Sequence, residues 1–431
     1  MGDTPHRPID VARMVAAVYE QEWAFVLAAT ARVAADLDLA EECAQDAFAQ
    51  ALARWPKGGI PQRPGAWLTT VARRRAIEVR RREATLARKL PLLVPDILAP
   101  EEPQPDDQTF PDDRLRLVFT CCHPALSREA QVALTLRLVC GLSTPEVARA
   151  FLVKEATMQA RITRAKRKIA ETRIPYRVPA AEDLPARVGS VLDVIHLVYS
   201  EGHTASSGET LVRGDLAARG LSLARMLRTL LPDDGEVAGL LALLCLTDAR
   251  RPARLSPQGE LMLLADQDRQ AWDQGAIAEG LKLVRFALTR PPAGRYALMA
   301  AIAAVHAEAP RWEDTDWRQV VGLYDLLLDR WPSPVVALNR AVAVSFAEGP
   351  AQAMRELEQL SEDPLIAGYP YLAATRADLL RRLERIEEAI AGYEHALQLT
   401  RNRTEATFLA NRIHELKSRV STGGETPART T

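Results

Sequence analysis

The chain has 431 residues, 48% of them hydrophobic, and its 55 Lys and Arg nearly balance 56 Asp and Glu, leaving a formal charge of -1; that length exceeds one ordinary domain and predicts two to four. The neutral sum does not exclude nucleic acid, because it hides arginine-rich blocks at positions 73–89 and 154–168 with an acidic tract between them. Five scattered cysteines suit a reducing cytoplasm better than a disulfide framework, no apolar run approaches membrane-spanning length, and MGDTPHRPID lacks the basic start and apolar core of a signal peptide. The expectation is a cytoplasmic chain with no membrane contact. With 5% aromatic residues and few alternating β-branched runs, the fold class expected is all-α.

From Val11 to Trp55 apolar residues recur at helical spacing through Met14, Val15, Val18, Trp23, Val26 and Leu27, then Leu39, Cys43, Ala47 and Leu52, which predicts two or three packed helices. Within the second, AEECAQDAF sets Glu41, Glu42, Gln45 and Asp46 along one side, either an ordinary acidic solvent face or a docking face. Pro56, Gly58, Gly59, Pro61 and Pro64 break the chain before a further helix, WLTTVARRRAIEVRRRE. There Trp67, Leu68, Val71, Ile77 and Val79 alternate with Arg73, Arg74, Arg75, Arg80, Arg81 and Arg82, a pattern that suits a phosphate tracker, a solvated surface or a membrane-surface element. Trp67 is read as a core residue or as a surface on which an unpaired base stacks.

Residues 88–113 are rich in proline and acid and read as a tether. Beyond them, Cys121, Cys122 and His123 invite a metal reading, but no second pair stands at a ligand spacing, so buried thiols and no metal are expected. In GLSTPEVARAFLVKEATMQARITRAKRKI, Ser143 and Glu146 form a capping box, and Val147, Ala148, Met158, Ile162 and Ala165 fall on the inner faces of two short helices. This is a helix-turn-helix pattern whose outer face carries Lys154, Gln159, Arg161 and Arg164; the alternative is a helical hairpin with a solvated basic face.

More than half the chain follows. Positions 180–312 are helical in pattern around the loop SEGHTASSGETLVRGD, where Glu201, His203, Ser206, Ser207 and Glu209 gather, either as a cap between helices or as a catalytic cluster. Over 313–420 the segments VVGLYDLLLDRWP, AQAMRELEQL and EEAIAGYEHALQL place Val320, Ala353 and Ala389 at corresponding points, offset close to the tetratricopeptide period of about 34 residues. Tyr393 and Ala396 suit the second helix of such a repeat; a generic helical domain is the alternative.

The order AEECAQDAF, PGAWLTTVARRRAIEVRRR and GLSTPEVARAFLVKEATMQARITRAKRKI resembles the extracytoplasmic-function (sigma-70 superfamily, group IV) sigma factors of bacterial RNA polymerase. The resemblance implies a region 2 bundle over 10–87, the linker over 88–113 and a region 4 helix-turn-helix domain over 114–173. It implies that Glu42, Gln45, Asp46 and Phe48 dock on the clamp helices of the polymerase largest subunit, with the flap as a further contact of the core enzyme. It places Arg73, Arg74, Arg75, Glu78 and Arg81 on the minus-ten element, and Lys154, Glu155, Thr157, Gln159, Arg161, Arg164 and Lys166 on the minus-thirty-five element of promoter DNA. Two departures stand out: Arg73, Arg74 and Arg75 replace a frequent Arg-Asn pair, and Leu152 replaces a frequent turn glycine. The helical tail resembles the subgroup with a tetratricopeptide-type extension, which implies control by the fused domain and a small DGPF-type protein as a partner. No catalytic residue or cofactor is expected. Two rival readings are a helix-turn-helix regulator with a tetratricopeptide sensor that does not replace sigma, and an enzyme centred on the SEGH loop.

Overall fold

The computed structural model describes residues 8–89, 112–151, 153–290 and 292–423. Most of the tether and Leu152 therefore lie outside the described residues. The chain divides into two compact units, residues 1–195 and 196–431. Among the described residues there are helices and two isolated bridges but no strand, so the all-α class holds.

In the first unit, α1 (Pro8–Ala34), α2 (Leu37–Gly58) and α3 (Pro64–Lys89) pack mutually. Ala35, at φ 55°, ends α1, and Asp36 then caps α2 by accepting a 2.7 Å hydrogen bond from the amide of Leu39. The bundle buries Trp23, Leu27 and Cys43 together with Leu68, Ala72 and Ala76 of α3. That i, i+4, i+8 stripe is narrow and small. Ile77, one of the apolar positions noted on this helix in the sequence, sits one residue, and so about 100° of helical turn, beyond it and is 51% exposed.

The second group of helices is α4 (Asp113–Cys121), α5 (Arg128–Leu134), a π-helical turn (Thr135–Val139), α6 (Thr144–Ala150) and α7 (Glu155–Glu171). The Ser143–Glu146 capping box opens α6, and Val147, Met158, Ile162 and Ala165 are buried as the spacing required. α8 (Leu184–His203) holds the boundary between the units. Its first half is fastened by Arg187, which donates to the carbonyl of Phe119 at 2.7 Å, and by the 3.1 Å ion pair of Arg128 with Asp193.

The second unit continues with α9 (Gly214–Leu230) and α10 (Gly235–Asp248), the latter buried all round from Val237 to Leu246. α11 (Gln274–Leu288) and α12 (Arg295–Glu308) sandwich it. Six further helices follow: α13 (Trp317–Arg330), α14 (Pro334–Ala347), α15 (Pro350–Leu360), α16 (Pro370–Arg382), α17 (Ile386–Leu399) and α18 (Arg403–Gly423). From α12 onward each packs on the next. Val320, Ala353 and Ala389 occupy α13, α15 and α17 and are all buried, at 0 or 1% exposure, as small residues must be where helices approach closely.

Candidate nucleic-acid interface

α7 carries its apolar stripe inward, which leaves Lys154, Glu155, Thr157, Gln159 and Arg164 exposed on the opposite side. Arg161 is half-buried and lies over the ring of Phe151, 5.3 Å from its centroid. An exposed row of amide, hydroxyl and guanidinium groups on the second helix of a helix-turn-helix is the arrangement that reads base edges while its basic end follows phosphates. Lys166 does not share that face. Its ammonium donates to Glu41 and to Asp38 of α2, both at 2.6 Å, and its side chain is 9% exposed. Burial opposes that charge, but the two carboxylates outweigh it and hold the ammonium above the usual lysine value.

On α3, Arg73, Arg74 and Arg81 form no ion pair among the described residues, while Arg75 lies 3.8 Å from Asp46 and 3.5 Å from Glu78. Glu78 also pairs with Arg82. Trp67 is half-buried and meets Trp55 edge to face at 5.6 Å, with part of its surface left open. Glu42, Gln45 and Asp46 are exposed on α2, whereas Phe48 is buried against Tyr19 and Trp23, at ring separations of 4.9 and 6.0 Å. The sequence grouped Glu41 with the exposed acids. The structure turns it the other way, onto the stripe of Leu37, Ala40 and Ala44, where its side chain is 8% exposed and held by Arg137 and Lys166. Its i+4 and i+3 spacing from those neighbours was the available signal.

These contacts join the α1–α3 bundle to the α4–α7 group. Trp23 donates through Nε1 to the carbonyl of Leu138 at 2.9 Å, Tyr19 to that of Gly141 at 3.0 Å, and Tyr176 to that of Ala28 at 2.8 Å. Gly141 is required here twice over: φ is 72°, and a Cβ would stand 2.9 Å from the Trp23 ring. None of this pairing was read from the sequence.

Cys121 and Cys122 are buried at the end of α4, and burial pushes the Cys122 thiol up to about 11. The SEGH loop is a clasp within the second unit. Asn402, 1% exposed, donates through Nδ2 to the carbonyls of Ala205 at 3.0 Å and Thr210 at 2.9 Å, while Glu209 pairs with Arg403 at 2.7 Å. His203 is half-buried beside Arg254, Arg250 and Arg251, and desolvation first, then those charges, lowers its imidazole to about 2. A neutral histidine held that low is a poor general base. Asn402→Ala leaves two carbonyls without donors and is expected to destabilise the unit by about 2 kcal/mol, read as a lowered midpoint in denaturant unfolding.

The second unit also holds a cavity of about 740 Å³. Trp312, Trp317 and Phe346 form one wall, with ring centroids 4.5 to 5.1 Å apart. Arg382 lies over Phe346 at 4.5 Å and donates to Ser345, while Tyr371 donates to Glu405 at 2.6 Å. Burial raises the Glu405 carboxyl above its ordinary value.

An arginine-lined helix and a helix-turn-helix on one chain are elements of a DNA-binding protein. Residues 18–85 match the model for sigma-70 region 2, residues 116–169 that for sigma-70 region 4, and residues 187–288 a family of unknown function (DUF6596). An uncharacterised protein of Rhizobium meliloti (strain 1021) is 42% identical over 394 residues, covering 90% of this chain and 93% of that protein. No solved structure matches. The chain belongs to the sigma-70 family of sigma factors. Its role is therefore promoter recognition in transcription initiation, with RNA polymerase core and promoter DNA as partners. No helix among the described residues is long and apolar enough to cross a membrane.

Proposed function

We propose that the chain is a cytoplasmic sigma factor of the extracytoplasmic-function group that docks on core polymerase through α2, holds the opened minus-ten strand along α3 and reads the minus-thirty-five element with α7. The observation that carries this is the exposed polar and basic face of α7 in the same unit as Arg73, Arg74 and Arg81 of α3, which form no ion pair among the described residues. Phosphate attraction from α3 positions the strand, and a few side chains on α7 choose the sequence. Glu42, Gln45 and Asp46 stay open to a partner on α2, with the clamp helices as their proposed target. Phe48 serves instead as the packing support of that helix.

The fused second unit regulates this activity. Its helix pairs α12–α13, α14–α15 and α16–α17 suit the tetratricopeptide scheme, whose stacked helices offer a small regulatory protein of the DGPF type a surface to dock on, while the aromatic-walled cavity of about 740 Å³ has the size of a small-ligand pocket. Purified protein with core enzyme is expected to give promoter-specific transcripts. Asp46→Arg places a like charge against whatever now complements that carboxylate, and is expected to weaken core binding about tenfold, since a pair lost at a surface of this kind costs about 1.4 kcal/mol. Equal transcription with and without the chain would remove the assignment and leave a helix-turn-helix regulator.

A further inference from the structure

We propose that the cavity of the second unit is a binding site for one small aromatic carboxylate, its flat body against Trp312 and Trp317 and its anionic group on the guanidinium of Arg382. The inference deepens the regulatory reading of this unit and rests on that reading only for its consequence.

The apolar half of the site is a wall of rings. Trp317 stacks on Phe346 with centroids 4.5 Å apart, and Trp312 meets the two edge to face at 4.8 and 5.1 Å. Phe346 and Tyr371, both on the cavity lining, keep 38 and 40% of their surface open. Ring surface left uncovered on a cavity wall is a place for another flat ring. A volume of about 740 Å³ suits a small organic molecule rather than a bare ion.

Charge decides the other end of the ligand. Asp378 and Arg381 on the lining pair with each other at 2.7 Å, and Arg412 pairs with Glu415 at 2.9 Å. Desolvation raises the Glu405 carboxyl, against the hydrogen bond from Tyr371 and the charge of Arg254. Arg382 is left. It forms no ion pair among the described residues, and its Nη1 and Nη2 donate only to Ser345, to Oγ at 2.8 Å and to the carbonyl at 2.7 Å. Those two bonds use the end of the guanidinium and leave the edge that carries Nε, whose parallel N–H groups match the two oxygens of a carboxylate. The Ser345 bonds and the stack over Phe346, 4.5 Å from its centroid, hold the group in place beforehand, so binding costs it little rotamer freedom.

Three further arginines add the same sign. Arg250, Arg254 and Arg269 form no ion pair among the described residues; Arg254 donates to the carbonyl of His203 and the hydroxyl of Thr204, and Arg269 to the carbonyls of His306 and Ala309. Their charges reach the lining, because burial first and then Arg250 and Arg269 lower the imidazole of His306 to about 4. Positive charge without a carboxylate partner, in surroundings of low dielectric, favours an anion. A cationic ligand, otherwise suited to a cage of rings, would meet this field and find the Phe346 ring already taken by Arg382. A single carboxylate fills the one open guanidinium edge, whereas the second charge of a phosphate monoester would lie in a cavity that also holds Glu405.

Calorimetric titration of the full-length protein with four naphthalenes tests this: 2-naphthoate, 2-naphthamide, 2-naphthyl phosphate and 2-naphthyltrimethylammonium. Naphthoate is expected to bind saturably and about ten times or more as tightly as the amide, the difference that a charge-assisted pair on a fixed guanidinium supplies. Arg382→Met keeps an apolar stem over Phe346 and should bring naphthoate down to the affinity of the amide while leaving the amide unchanged, which shows that the site is still folded. Arg382→Lys should restore part of the preference, and Trp312→Ala should weaken both probes alike. No saturable binding of naphthoate, equal affinity for naphthoate and amide, tighter binding of the phosphate or the ammonium, or a preference for naphthoate that survives Arg382→Met overturns the proposal. Polymerase takes no part in these titrations, so their failure leaves the sigma reading standing, and a protein that binds naphthoate but directs no transcription upholds the site and strikes the sigma reading alone.

Discussion

Replacing Arg73, Arg74 and Arg81 together by alanine is expected to lower affinity for opened promoter DNA about a hundredfold at moderate salt and to flatten its salt dependence. These three side chains carry no ion pair among the described residues, so no described carboxylate competes for them. Each backbone phosphate neutralised on a single strand adds roughly 0.7 to the slope of log affinity against log salt, so losing three should reduce it by about 2. Arg75→Ala makes a useful comparison. That guanidinium is already shared between Asp46 and Glu78, and its removal should cost less. Titrating a pre-melted promoter fragment with the holoenzyme at several salt concentrations reads both numbers. A triple variant with an unchanged slope would show that α3 does not lie along the strand.

Gly239→Ala is expected to destabilise the second unit by about 3 kcal/mol or more, although alanine is ordinarily the better helix former by about 1 kcal/mol. The sign is decided by what lies across the helix. A Cβ on Gly239 would stand 2.5 Å from the amide nitrogen of Ala297 and 2.8 Å from its Cα. Both are backbone atoms at the start of α12, and backbone does not swing aside as a side chain does. That start is itself fixed by Glu236, one turn earlier on α10, whose carboxylate accepts from the amides of Tyr296 and Ala297, each at 3.0 Å. Pushing α12 away therefore also breaks its cap. Denaturant unfolding monitored on the full-length chain checks it, and a midpoint equal to or above the parent's would mean that the two helices are not in this contact.

Much of the architecture was legible because the signals were local. The capping box of Ser143 and Glu146, the inward Met158 and Ile162, and the small residues at Val320, Ala353 and Ala389 each declare themselves within one or two helical turns. The exposure of Ile77 was not legible because spacing alone does not say how wide a stripe a small bundle buries. The exposed half of the candidate site on α7 was readable for the same local reason. What stayed hidden was pairing across distance. Glu41 meets Arg137 and Lys166 at separations of 96 and 125 residues, and although its spacing from Leu37 and Ala44 turns it inward, nothing local says which distant cations it will face. The cavity wall likewise draws on rings from α13, α14 and the turn before them, a convergence that a repeat pattern does not specify.

The clasp at Asn402 has a consequence for how the polypeptide comes off the ribosome. Its partners Ala205 and Thr210 emerge nearly two hundred residues earlier and must wait, carbonyls exposed to water, until almost the last helix has been synthesised. A chain stalled before that point carries the whole of the first unit but an unfinished second unit. Translation order alone thus makes the arrival of Asn402, just ahead of α18, the step that closes this clasp.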